Sequence, residues 1–109
     1  MAGGRPSYQK GSRFERALVR AWQEGGFAAD RTPLSGAARG KFGGYDISLP
    51  LLGIDRKVEV KHHATGFLKL YKWLEPVDML MVRADRSEPL VIMPLSLAIE
   101  LAATAEKSR

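Results

Sequence analysis

Tyr45-Asp46-Ile47-Ser48-Leu49 and Arg56-Lys57-Val58-Glu59-Val60-Lys61, joined by Pro50 to Asp55, read as strand, turn and strand. Side chains on a strand alternate between its two faces. Glu59 and Lys61 therefore share one face, and Val58 and Val60 take the other. An acid and a lysine flanking a valine in mid-strand are unusual. If Asp46 lies on the neighbouring strand, two carboxylates and an ammonium come together. Hard oxygen donors of that kind suit magnesium, and the lysine could hold a phosphate or a polarised water. A second acid-x-lysine triplet, Asp55-Arg56-Lys57, stands just upstream. It falls near the turn, where a metal would be poorly enclosed. Spacing alone leaves two readings open, a metal site and a solvated sheet face.

The chain of 109 residues is the size of one domain. It contains no cysteine, which excludes disulfides and thiolate zinc sites and fits a reducing, cytoplasmic location. No apolar run reaches membrane-spanning length, so no membrane role is expected, and the N-terminus lacks a signal-peptide core. The net charge is +5. Residues 1–45 hold eight Lys and Arg against three Asp and Glu, whereas residues 46–109 hold nine of each. All the excess positive charge thus precedes the acid-x-lysine stretch. That asymmetry points to a polyanion, with nucleic acid ahead of a membrane surface.

Residues 1–12 read as a flexible basic arm and residues 13–109 as a single domain. Ser12, with Glu15 three residues on, has the pattern of a capping box, which predicts a helix from Arg13 to Glu24. Phe14, Leu18, Ala21 and Trp22 form its apolar stripe, and Gly25-Gly26 ends it. Phe27 to Arg31 is a short strand. Thr32 to Gly44 is a basic, glycine-rich loop. Its Gly36 to Phe42 segment is a poor phosphate loop, because Phe42 stands where Ser or Thr should meet the metal. Gly66 to Glu75 reads as a helix with Phe67, Leu70, Tyr71 and Leu74 inward and Lys69 and Lys72 outward. Asp78 to Arg83 and Leu90 to Met93 are two further strands, and Leu95 to Lys107 is the last helix. The order predicts an α/β fold with a central mixed five-stranded sheet flanked by helices.

With these elements placed, the chain resembles the PD-(D/E)XK nuclease superfamily, and within it the archaeal-type Holliday junction resolvases. The resemblance covers roughly residues 10–95. It rests on Gly11-Ser12-Arg13-Phe14-Glu15-Arg16, on Gly26 to Arg31, on Ser35-Gly36, on Tyr45-Asp46-Ile47 and on Glu59-Val60-Lys61. It implies a restriction-endonuclease-like fold and a metal-dependent catalytic site formed by Glu15, Asp46, Glu59 and Lys61. It also implies a loop serine near that site, assigned to Ser35 across the Thr32-Pro33-Leu34 insertion. Magnesium, with manganese as its substitute, would be held by Asp46, Glu59 and the Val60 carbonyl, and no small-molecule cofactor is expected. Glu15 could reach the metal through a water or serve only as a capping residue. Arg13, Arg16, Arg31, Arg39, Lys41, His62, Lys69 and Lys72 are the expected DNA contacts. Adjacent His62 and His63 face opposite ways on an extended chain, which argues against zinc.

The function these readings favour is a structure-selective DNA endonuclease of recombination and repair, cutting four-way junctions. The alternatives are a small phage-type replication–repair nuclease acting on other branched DNA, a sequence-specific endonuclease, or a non-catalytic nucleic-acid-binding module. Two symmetric cuts call for a twofold homodimer. In the last helix Leu95, Ala98, Ile99 and Ala102 form one apolar stripe, and Leu97 with Leu101 form a second that is left for the partner.

Overall fold

The computed structural model describes residues 4–32 and 45–109, with side chains from residue 11 onward. Helix α1 (Gly4–Glu24) leads to strand β1 (Asp30–Arg31), β2 (Ile47–Leu51) and β3 (Ile54–Val58). Helix α2 (Leu68–Leu74), strands β4 (Leu80–Val82) and β5 (Leu90–Ile92) and helix α3 (Leu95–Lys107) follow.

Helix α1 begins nine residues before the expected start at Arg13. Pro6 is compatible with this, because it sits in the first turn, where backbone N–H groups have no partner inside the helix. Ser12 is consequently not an N-cap. It lies in mid-helix, and its Oγ accepts a hydrogen bond from Arg16 Nη1 at 2.8 Å. The helix ends as expected: Gly25 and Gly26 donate to the carbonyls of its last turn, and Gly26 has φ +100°.

β1, β2 and β3 form an antiparallel sheet in that order, and β4 pairs with β5 in a separate antiparallel hairpin. The expected five-stranded mixed sheet is therefore replaced by two antiparallel sheets among the described residues. Beyond Val58 the Val60 N–H bonds to a side chain rather than to a strand. The ladder stops there. The expected strand from Arg56 to Lys61 is accordingly shortened, and Glu59-Val60-Lys61 emerges just past its end.

The core is small. Val19 from α1, Phe27 and Ala29 before β1, and Ile47 and Leu49 of β2 are buried together. Leu18, Trp22, Val58, Val60 and, from α3, Ala102 and Ala103 pack around them. Trp22 and Phe27 meet edge to face, with ring centroids 5.3 Å apart.

Strands β2 and β3 turn at Leu52-Gly53, with Leu51 paired to Ile54. Both turn residues have positive φ, 54° and 80°, the signature of a type I′ hairpin. Glycine takes this conformation freely, and a leucine there costs about 1–2 kcal/mol. The Leu52 N–H donates to Glu106 Oε2 at 2.6 Å, and Arg109 Nη1 donates to Glu106 Oε1 at 2.9 Å. The end of α3 thus holds the hairpin tip. These two bonds, the Leu52 N–H first, hold the Glu106 carboxyl below its ordinary value of 4.5. A depressed carboxyl stabilises the fold above that value and loses its contribution as pH falls through the lower, folded one. Melting temperature followed from pH 6 to pH 3 should therefore fall less in Glu106→Gln than in the wild type. Parallel curves would show that the tether adds no stability.

Candidate active site

Asp46 immediately precedes β2 and is 2% exposed. Its backbone explains how a carboxylate comes to be buried there. The Asp46 carbonyl accepts from the Thr32 N–H at 2.9 Å, on the β1 side. The Asp46 N–H donates to the Val58 carbonyl at 2.9 Å, on the β3 side. In a regular strand the N–H and C=O of one residue point to the same side. Their divergence marks a bulge at Asp46, a device that re-aims a side chain where pairing ends. The re-aimed carboxylate accepts from the Val60 N–H through Oδ2 at 2.7 Å. Asp46 thereby ties the start of β2 to the segment that carries Glu59 and Lys61.

The hairpin register ends with Ile47 opposite Val58, and Asp46, bulged out of that ladder, reaches Val60, the residue after Glu59. Glu59 Oε2 accepts Lys61 Nζ at 3.2 Å, and both side chains are at least half exposed. The acid-x-lysine pair thus lies at the surface beside a buried aspartate. In the other triplet, Asp55 pairs with Pro50 one step from the turn, as its place in the sequence suggested. Two carboxylates and the Val60 carbonyl make a hard-oxygen set of the kind magnesium takes. Among the described residues no three His, Cys, Asp or Glu side chains are grouped to hold a metal. A cation held by this set would complete its coordination with water and substrate oxygen.

Glu15 on α1 has a different companion. Arg31 of β1 reaches it with Nε at 3.3 Å and Nη2 at 3.2 Å, both on Oε1. Arg31 Nη2 also donates to Ser12 Oγ at 3.2 Å. With Arg31 21% and Glu15 13% exposed, the pair is largely shielded, and removing one partner would strand the other. Glu15 is not a capping residue, because the helix starts at Gly4. Arg31, expected to meet DNA, is engaged within the protein.

Helix α1 also touches the segment after Lys61, through a Phe14–His62 ring contact at 4.8 Å. His63 packs on Phe67 at 4.9 Å. Arg13 is exposed, as are Lys69 and Lys72 on α2. Lys69 Nζ lies 5.8 Å from the Trp73 ring centroid. Ser35, Arg39 and Lys41 lie outside the described residues. The Asp46 bulge and the Ser12–Arg31–Glu15 cluster were not foreseen, because both depend on residues brought together from separate elements.

No curated protein and no solved structure matches the sequence. A family model described as archaeal Holliday junction resolvase (hjc) matches residues 6–100. That span takes in α1, the hairpin, Asp46 and the Glu59-Val60-Lys61 segment, and the chain belongs to the archaeal Holliday junction resolvase family, a family of PD-(D/E)XK-type nucleases.

Proposed function

We propose that the protein is a magnesium-dependent, structure-selective endonuclease that resolves four-way DNA junctions as a homodimer. The observation that carries the reading is the Asp46 bulge, which ties a buried carboxylate to the backbone between Glu59 and Lys61. Asp46, Glu59 and the Val60 carbonyl would hold the magnesium, which when bound supplies charge neutralisation and an acidified water. Hydrolysis joins the oxygen of a water to phosphorus and releases one ester oxygen, which leaves carrying a proton. Lys61 exchanges its contact with Glu59 for the scissile phosphate and orients it. Glu15 and Ser12 hold Arg31 in a fixed posture beside the sheet. Lys69, Lys72, Arg13 and Arg16 follow the flanking backbone, with His62 near the cut strand. Ser35, Arg39 and Lys41 would add contacts from the loop.

A dimer is supported by the amount of apolar surface left open. Tyr71 on α2 is 75% exposed and Met81 on β4 is 73% exposed. Leu68, Trp73, Leu90, Val91 and Leu101 are each at least half exposed as well. Exposed apolar residues in this number mark an interaction surface. Tyr71 was expected inward and Leu97 outward. Instead Leu97 is half-buried, so the open surface is carried by α2 and the β4–β5 hairpin, together with Leu101 of the expected stripe. Light scattering at micromolar concentration should give twice the chain mass. Tyr71→Glu combined with Met81→Glu should give a folded monomer that nicks junctions without paired cuts. A wild-type monomer making coordinated double cuts would overturn the dimer.

The function itself is tested with labelled four-way junction, flap and linear duplex, each with magnesium and with chelator. Junction cutting only with the metal is the expected result. Equal cutting of linear duplex would remove structure selectivity, and cutting in chelator would remove the metal.

A further inference from the structure

Thr32 follows β1 and is 5% exposed. Its Oγ1 is closed off from solvent and has no hydrogen-bond partner among the described residues, the only buried side-chain polar atom there of which this is true. A hydroxyl stranded in this way is destabilising, and a valine of the same shape would avoid the cost. Native structures leave few such groups, and each calls for an explanation.

Its position supplies one. The register that pairs Asp30 with Ser48 and Arg31 with Ile47 brings Thr32 opposite Asp46, and the Thr32 N–H donates to the Asp46 carbonyl at 2.9 Å. The unpartnered hydroxyl thus belongs to the residue whose backbone is bonded to Asp46, at the end of the sheet where β1 stops and β2 starts. We propose that the Thr32 hydroxyl is a substrate-binding group of this site. It donates a hydrogen bond to an oxygen that the DNA phosphate brings, directly or through one water. The inference rests on the nuclease reading above. A donor already stripped of water has no hydration to lose when a charged oxygen arrives. The unmet hydrogen bond in the free protein is then made up in the complex, a pattern found where strain is stored at functional sites.

Thr32→Val removes the hydroxyl and keeps the shape, and Thr32→Ser keeps the hydroxyl. Three quantities separate a substrate contact from a core residue: melting temperature, junction affinity in chelator, and single-turnover cleavage at saturating enzyme. The Val variant should melt at or above the wild-type temperature and cut about 10- to 100-fold more slowly. The Ser variant should cut at close to the wild-type rate. A Val variant that is stabilised and cuts like the wild type would overturn the inference while leaving the nuclease reading intact. Should the Val variant fail to fold, equal rates for Thr32→Ser and Thr32→Ala would overturn it equally. A wild-type protein that cuts no DNA would overturn both readings together.

Discussion

Asp46→Asn is expected to lower junction cleavage by about 10³-fold while the protein stays folded. Asparagine keeps an oxygen that can accept from the Val60 N–H, so the link across the end of the hairpin survives. What it loses is the negative charge that would hold a cation. Asp46→Ala separates these roles. It strands the Val60 N–H in a half-buried place, which costs about 1–3 kcal/mol of stability on top of the lost activity. Glu59→Gln should match the Asn variant in activity without any stability loss, because Glu59 is half exposed. Junction binding in chelator should persist in all three, since removing a carboxylate near phosphate takes away no favourable DNA contact. Single-turnover cleavage and thermal melting measure the two axes. Near-wild-type cutting by Asp46→Asn would show that the bulged aspartate is structural only.

Lys61→Ala should slow cleavage by about 10²-fold, and Asp55→Ala should leave it unchanged. The contrast is sharp because the sequence offers two acid-x-lysine triplets four residues apart. The first begins at Asp55, paired with Pro50 beside the hairpin turn. The second ends at Lys61, next to the residue whose N–H holds Asp46. Lys61 is 63% exposed and, among the described residues, forms its ion pair with Glu59. Its removal should therefore change stability by no more than about 1 kcal/mol, and lost activity could not be traced to unfolding. The reverse ranking of the two variants would move the site to the turn.

Much of this arrangement was legible in the sequence. The turn near Leu52 follows from alternating strands on either side of a short apolar and glycine segment. The last helix occupies Leu95 to Lys107, as its periodicity predicts. What escaped the sequence is what depends on distant partners. Residues 4–12 carry no cap and no strong stripe, so the earlier start of α1 had no local signal. Ser12 and Glu15 match a capping box by spacing, yet Arg31 from another element claims both. Strand partnering is non-local, so nothing in the strand segments shows that β4 and β5 pair apart from the first sheet. The bulge at Asp46 is a backbone event. No side-chain pattern encodes a residue whose N–H and C=O turn opposite ways.

The open edge of the first sheet gives the other triplet a purpose. β3 pairs with β2 on one side and with no strand on the other among the described residues. Such an edge presents a row of N–H and C=O groups to which a second chain can add, the route by which exposed strands aggregate. Asp55, Arg56 and Lys57 occupy the middle of β3, and all three are exposed. Incoming backbone would have to approach past consecutive charges of both signs. The stretch that imitates a catalytic motif thus guards this edge against the addition of a stray strand.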